Sequence, residues 1–173
     1  MVLLLLICNL VFTPVDVQRE NVIAFNSSIT QSNPCDSVPI LNQQILSFVE
    51  SNLRKKVDRG ECWDLAATPL NIYKAKWNGK YSYGRLVNPK SECIYPGDIM
   101  QFENVEIESV SNNGRFVQYM PHHTAVVYEV HAINDFTIAH QNYNNTRKVI
   151  LTPLKMENIK KGKTFIYRPI AGS

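Results

Sequence analysis

The sequence predicts an α+β domain, with N-terminal helices packed on an antiparallel β-sheet or half-barrel. Three observations carry that expectation. Apolar residues recur at helical spacing early in the chain, as Leu41, Ile45, Phe48, Val49 and Leu53. Beyond Pro96 the pattern changes to short alternating runs separated by turn residues. A chain of 173 residues, 45% apolar and 19% charged, can fill one core and is too apolar for disorder. Helices first and strands afterwards is the order of a segregated α+β fold.

Residues 1–20 read as a signal peptide. Residues 2–6 are all aliphatic and the apolar stretch continues to Phe12, too short to cross a bilayer. A buried N-terminal strand is the competing reading. Residues 21–38 read as a polar arm, and the domain proper is expected over 39–170. Its first helix is expected to start with Ser37 as cap and Pro39 in the first turn. Gly60 ends that region in a tight turn. A short second helix follows from Glu61 or Cys62 through Ala67, limited or kinked by Pro69. Residues 77–95 show no periodicity and read as loop. Pro96-Gly97-Asp98 is a turn into a strand at 99–102. Strands are expected at 105–108 and 115–119 around a hairpin turn at Asn112-Asn113-Gly114, then at 123–130, 136–142, 148–151 and 164–167.

The formal charge of +3 is too small to point to nucleic acid. Among the basic runs, Arg54-Lys55-Lys56 reads as a solvated helix end. Mild basicity suits an anionic substrate such as a bacterial wall. Neither a cofactor motif nor a span for stable membrane insertion is present in the sequence, and a monomer is expected.

Chemistry centres on Cys62. At the opening of a short helix its sulfur meets unpaired backbone amides and the positive end of the helix dipole, which favours thiolate. A base must still take up and return the proton. The candidates are His122, His123, His131 and His140. His122 and His123 begin one expected strand and His140 ends the next, so an antiparallel pairing brings them side by side. By strand parity His123 shares a face with Ala125 and Val127, while His122, Thr124 and Val126 share the other. On the next strand Ile138, His140 and Asn142 lie together. A metal site built from His122, His123 and His140 lacks a spaced ligand motif. If Cys62 stays reduced, Cys35 and Cys93 are the natural disulfide pair; three reduced thiols in a cytosolic protein is the alternative.

Four segments in order, Gly60-Glu61-Cys62-Trp63-Asp64-Leu65, Pro96-Gly97-Asp98-Ile99-Met100-Gln101-Phe102, His123-Thr124-Ala125-Val126-Val127 and His140-Gln141-Asn142, resemble CHAP domains. These are cysteine, histidine-dependent amidohydrolases/peptidases, related to the NlpC-type papain-like fold. The resemblance spans about residues 40 to 170. It implies a secreted (or periplasmic) cysteine amidase or endopeptidase acting on peptide or peptidoglycan-like substrates, without cofactor or metal. It places the nucleophile on Cys62 and the base on His123. The family's orienting Glu-x-Asn motif falls on His140 and Asn142. His140 departs from the Glu often found there, although NlpC-type relatives use His, so either His140 or Asn142 fills the orienting role. That departure also supports the alternative of an inactive CHAP-like domain that only binds peptide or wall fragments.

Overall fold

The computed structural model describes residues 35, 37–111 and 114–172. The expected signal peptide and most of the expected polar arm lie outside the described residues, as do Asn112 and Asn113 of the hairpin turn. Among the described residues two α-helices come first and six strands follow, the segregated order the sequence indicates.

Helix α1 (Ile40–Ser51) buries Leu41, Asn42, Ile45 and Val49, one stripe at i, i+4 and i+8 plus its neighbour. Ser37 does not cap it. Pro39 is the N-cap, with no side-chain cap bond, and its carbonyl accepts the Gln43 N–H at 3.0 Å. Helix α2 (Cys62–Ile72) begins where Gly60, at φ +89°, reverses the chain. Asp64 stabilises this start: its Oδ2 accepts the Glu61 N–H at 2.9 Å and its Oδ1 accepts from Arg59 Nη2 at 2.5 Å. Pro69 sits inside α2, and the helix runs past it to Ile72. The proline removes only the donor that would have met the Leu65 carbonyl, and burial of Leu65, Ala66 and Leu70 outweighs that loss.

The strands are β1 (Arg85–Leu86), β2 (Ile99–Ser111), β3 (Gly114–Ala132), β4 (Asp135–His140), β5 (Ile150–Lys155) and β6 (Ile159–Arg168). They form one antiparallel sheet ordered β1-β6-β2-β3-β4-β5. Strand β1 lies within the segment expected to be loop. Its two residues pair with Tyr167 and Arg168 at the sheet edge and are exposed, so they leave no periodic trace in the sequence. The runs expected at 115–119 and 123–130 are one long strand despite Pro121. The register is unshifted from Glu103↔His122 to Val105↔Met120, so Pro121 faces Asn104, whose φ is +51°. The register shift near Asn104 lies on the other edge of β2, against β6, between Glu103 and Glu106.

The sheet buries side chains on both faces. Ile99, Val126 and Ala139 pack with α1 and α2 in one cluster. Met100, Phe102, Ala125, Val127, Phe136 and Ile138 form a second cluster on the other face. The Pro96-Gly97-Asp98 turn joins helices to sheet. A Cβ on Gly97 would meet the Asn42 carbonyl oxygen at 2.3 Å, so α1 packs against bare backbone. The buried Asp98 carboxylate accepts from Asn42 Nδ2 at 2.8 Å, the Tyr95 N–H at 2.9 Å, and Arg168 Nη2 at 2.8 Å. Cys35 and Cys93 form a disulfide with Cα atoms 5.6 Å apart.

Candidate active site

Cys62 is the first residue of α2, half-buried, and the free cysteine among the described residues. Its thiol meets the backbone N–H groups of Thr124, Trp63 and Cys62 itself, which favour thiolate. Burial outweighs them and pushes the thiol pKa up. The helix terminus thus acts in the expected sense, while desolvation sets the net direction.

The influence of the Thr124 amide on the thiol sets the head of α2 near that residue of β3. Val127 exchanges backbone bonds with Gly97 and Asp98 on the β2 side. By alternation, the Thr124 amide points to the opposite edge of β3. The β3–β4 ladder ends at Val126↔Ala139, so Thr124 and His123 lie beyond its last pair. The N-terminus of α2 meets β3 at that opening.

His123 sits one residue from this contact, on the second face, paired across the ladder with Phe102 and 6% exposed. Its Nε2 lies 3.0 Å from His140 Nδ1. His140 closes β4, is fully buried, and has Thr152 Oγ1 at 3.2 Å from its Nε2. Thr152 on β5, His140 on β4 and His123 on β3 therefore form one relay across three strands. Burial, and secondarily the neighbouring imidazole, lowers both pKa values, to about 4 for His123 and about 3 for His140. Both rings are neutral at pH 7. No hydrogen bond joins the Cys62 sulfur to the His123 ring among the described residues. Catalytic hydrogen bonds are commonly long without substrate and tighten when it binds.

Asn142, the other candidate for orienting His123, points elsewhere. Its Nδ2 donates to Glu61 Oε2 at 2.6 Å. Between these two stands Gln141, which the sequence reading passed over. It is fully buried; its Oε1 accepts the Val57 N–H at 3.1 Å, and its Nε2 donates to the Val57 and Glu61 carbonyls at 3.0 and 2.8 Å. Gln141 and Asn142 thus fasten the end of β4 to the segment that delivers Cys62. Strand parity, which turns Gln141 away from His140 and toward the helices, was the available signal.

Behind Cys62, the buried Tyr83 hydroxyl lies 2.8 Å from Thr124 Oγ1, which donates to Gln101 Oε1 at 2.8 Å. Burial pushes the Tyr83 pKa far up, so the hydroxyl keeps its proton. Trp63 packs against Trp77 with ring centroids 5.7 Å apart and donates its indole N–H to the Lys80 carbonyl. His122 is exposed and meets the Tyr81 ring edge-on at 4.1 Å. His131 is exposed and lies 2.8 Å from Thr137 Oγ1. Among the described residues no group of three or more His, Cys, Asp and Glu is placed to hold a metal.

The sequence matches the AIM3/BBC1 cysteine proteinase-fold domain over residues 39–173. The chain belongs to that family. As an AIM3/BBC1 domain it is 28% identical, over 148 residues, to "Altered inheritance of mitochondria protein 3" of Debaryomyces hansenii. The alignment covers 74% of this chain and 16% of that protein, so the chain spans about a sixth of its curated relative. Two crystal structures of Ly7917, one with the hydrolyzing product of MDP, share the fold at a TM-score of 0.50, with 16% and 15% identity. Each comparison covers 74% of this chain and 62% of the Ly7917 chain. The cysteine-proteinase fold of the AIM3/BBC1 domain is the architecture the sequence leads one to expect.

Proposed function

We propose that this domain is a cysteine-dependent amide hydrolase acting on peptide or peptidoglycan-fragment substrates. The observation that carries this reading is the Thr152–His140–His123 relay, which ends beside the strand position where the Cys62 sulfur sits. The fold shared with Ly7917, crystallised with the hydrolyzing product of MDP, supports the substrate class. The Cys35–Cys93 disulfide supports a role in an oxidising compartment after export.

One tautomeric form of the relay suits such a reaction. With Nε2 of His140 donating to Thr152 Oγ1, His140 Nδ1 accepts the His123 Nε2 proton, which leaves His123 Nδ1 as the basic nitrogen. In the reaction that nitrogen takes the Cys62 proton as the sulfur–carbon bond to the substrate carbonyl forms. The Cys62 backbone N–H at the head of α2 stabilises the oxyanion. His123 returns the proton to the amine as the carbon–nitrogen bond breaks. Water then attacks the thioester, gives a proton to His123, and the thiol is restored. Cys62 and His123 are both uncharged at rest, so the ion pair forms only as substrate enters.

A second reading, a domain that binds such peptides without turning them over, is favoured by the raised Cys62 pKa and the missing thiol–imidazole bond. Incubation with peptidoglycan and mass spectrometry of the fragments separates the two. Hydrolysis by the native chain and none by Cys62→Ala is the expected result. Bound but intact fragments with both proteins would establish the binding domain.

A further inference from the structure

The tertiary structure gathers basic side chains from distant parts of the chain around the segment that precedes Cys62. Residues 53–55 run beside Val149: Leu53 and Val149 form a parallel bridge, Arg54 N–H donates to the Val149 carbonyl, and Val149 N–H donates to that of Lys55. Arg147 and Lys148 are thereby brought to the Arg54-Lys55-Lys56 run. The convergence is closest over Gly60, where an added Cβ would meet both Arg147 Cβ and Lys56 Cγ at 3.0 Å. Arg147 also contacts the Arg59 carbonyl, and Arg59 stands with its guanidinium 5.8 Å from the Trp63 ring centre.

The nearby carboxylates are already engaged. Asp64 is held by Arg59, and Glu61 by Arg147 and Asn142. Asp58 lies 3.9 Å from Arg59. Arg54, Lys55, Lys56 and Lys148 take part in no ion pair among the described residues, while Arg59 and Arg147 remain 63% and 57% exposed. Both guanidiniums therefore keep donors toward solvent beside the head of α2.

Resting on the hydrolase reading above, we infer that the substrate is an acidic peptide, with a carboxylate flanking the scissile amide received by Lys56, Arg59 and Arg147. An anionic group bound there sits next to the N-terminus of α2, where the helix dipole adds to the attraction. The solvated helix end read from Arg54-Lys55-Lys56 thus becomes one side of a recognition rim once the fold supplies Arg147 and Lys148.

The free thiol provides a test that needs no known substrate. Alkylation of Cys62 in the full chain by iodoacetate and by iodoacetamide is followed by peptide mass mapping, each rate divided by that of N-acetylcysteinamide. The rim predicts a normalised preference for iodoacetate that falls as salt rises. In Lys56→Gln/Arg147→Gln the preference drops by about threefold to fivefold at low ionic strength, the order expected for losing two charges within a Debye length. Lys160→Gln/Lys163→Gln, with the same change in net charge, keeps it. Tri-glutamate should protect Cys62 from iodoacetamide where tri-glutamine does not. Equal normalised rates for the two reagents, or equal effects of the two double variants, would overturn the inference; so would stronger protection by phosphatidylserine vesicles than by tri-glutamate, which would assign the rim to a membrane. Slow but still anion-selective alkylation would instead count against the hydrolase reading alone.

Discussion

His123 Nε2 and His140 Nδ1 stand 3.0 Å apart, both rings buried on the sheet face opposite the two helices. The contact couples the tautomers of the two imidazoles, and the outcomes below depend on it and on what fastens it to the Cys62 segment.

Replacement of His140 separates orientation from chemistry. His140→Glu keeps an acceptor for His123 Nε2 and should retain measurable turnover. His140→Leu leaves a buried ring N–H without a partner, at a cost of about 1–3 kcal/mol, and should reduce kcat far more than it raises KM. Turnover unchanged in His140→Leu would show that His123 needs no orienting partner.

The burial of the pair sets a pH dependence. In the unfolded chain both rings titrate near the ordinary value of 6.5, whereas in the folded protein His123 falls to about 4 and His140 to about 3. Between about 6.5 and 3 the unfolded state therefore binds more protons, so stability declines as pH falls through that window and is insensitive to these rings above it. Two histidine Cε1 proton resonances should stay unshifted from pH 8 to pH 5. Full titration of every histidine in that range would contradict the buried pair.

Gln141 should behave as a positioning residue. Gln141→Leu deletes three hydrogen bonds to Val57 and Glu61 and leaves those backbone groups unpaired, so both stability and activity should fall. Gln141→Glu keeps acceptor capacity for the Val57 N–H but loses both donations, and should be intermediate. The discriminating measurement is the rate of Cys62 alkylation by iodoacetamide in folded protein, which changes only if the Cys62 segment moves.

Arg168→Met tests the junction between sheet and helices. Asp98 is completely buried and Arg168 supplies two of its hydrogen bonds. Removing the cation strands a buried carboxylate, which typically costs about 3–5 kcal/mol. Urea unfolding should show that loss, and Arg168→Met/Asp98→Asn should recover part of it.

Much of this architecture was legible in the residues. The helical stripe of Leu41, Ile45 and Val49 and the turn at Gly60 indicated both helices, and alternation indicated most strands. What escaped had a local reason. Strand β1 is two exposed residues paired only with β6, and β3 continues through Pro121 because its pairing with β2 resumes in the same register beyond it. Pro69 reads as a helix terminator until the apolar contacts on either side of it are known. Parity grouped His123 with Ala125 and Val127 and, on the next strand, His140 with Ile138 and Asn142, yet gave no means of choosing between His140 and Asn142. In the structure Asn142, whose backbone is left-handed at φ +54°, turns its amide to Glu61, while His140 lies against His123.

The order of helices and most strands, and the start of α2 at Glu61 or Cys62, are written in the sequence, because periodicity and turn chemistry act over a few residues. The distance between the imidazoles, the net rise in the Cys62 pKa and the gathering of Arg147 onto the Lys56 segment were decided only by tertiary structure. Desolvation and through-space charge depend on which distant groups become neighbours, and neighbours separated by some ninety residues leave no periodic mark along the chain.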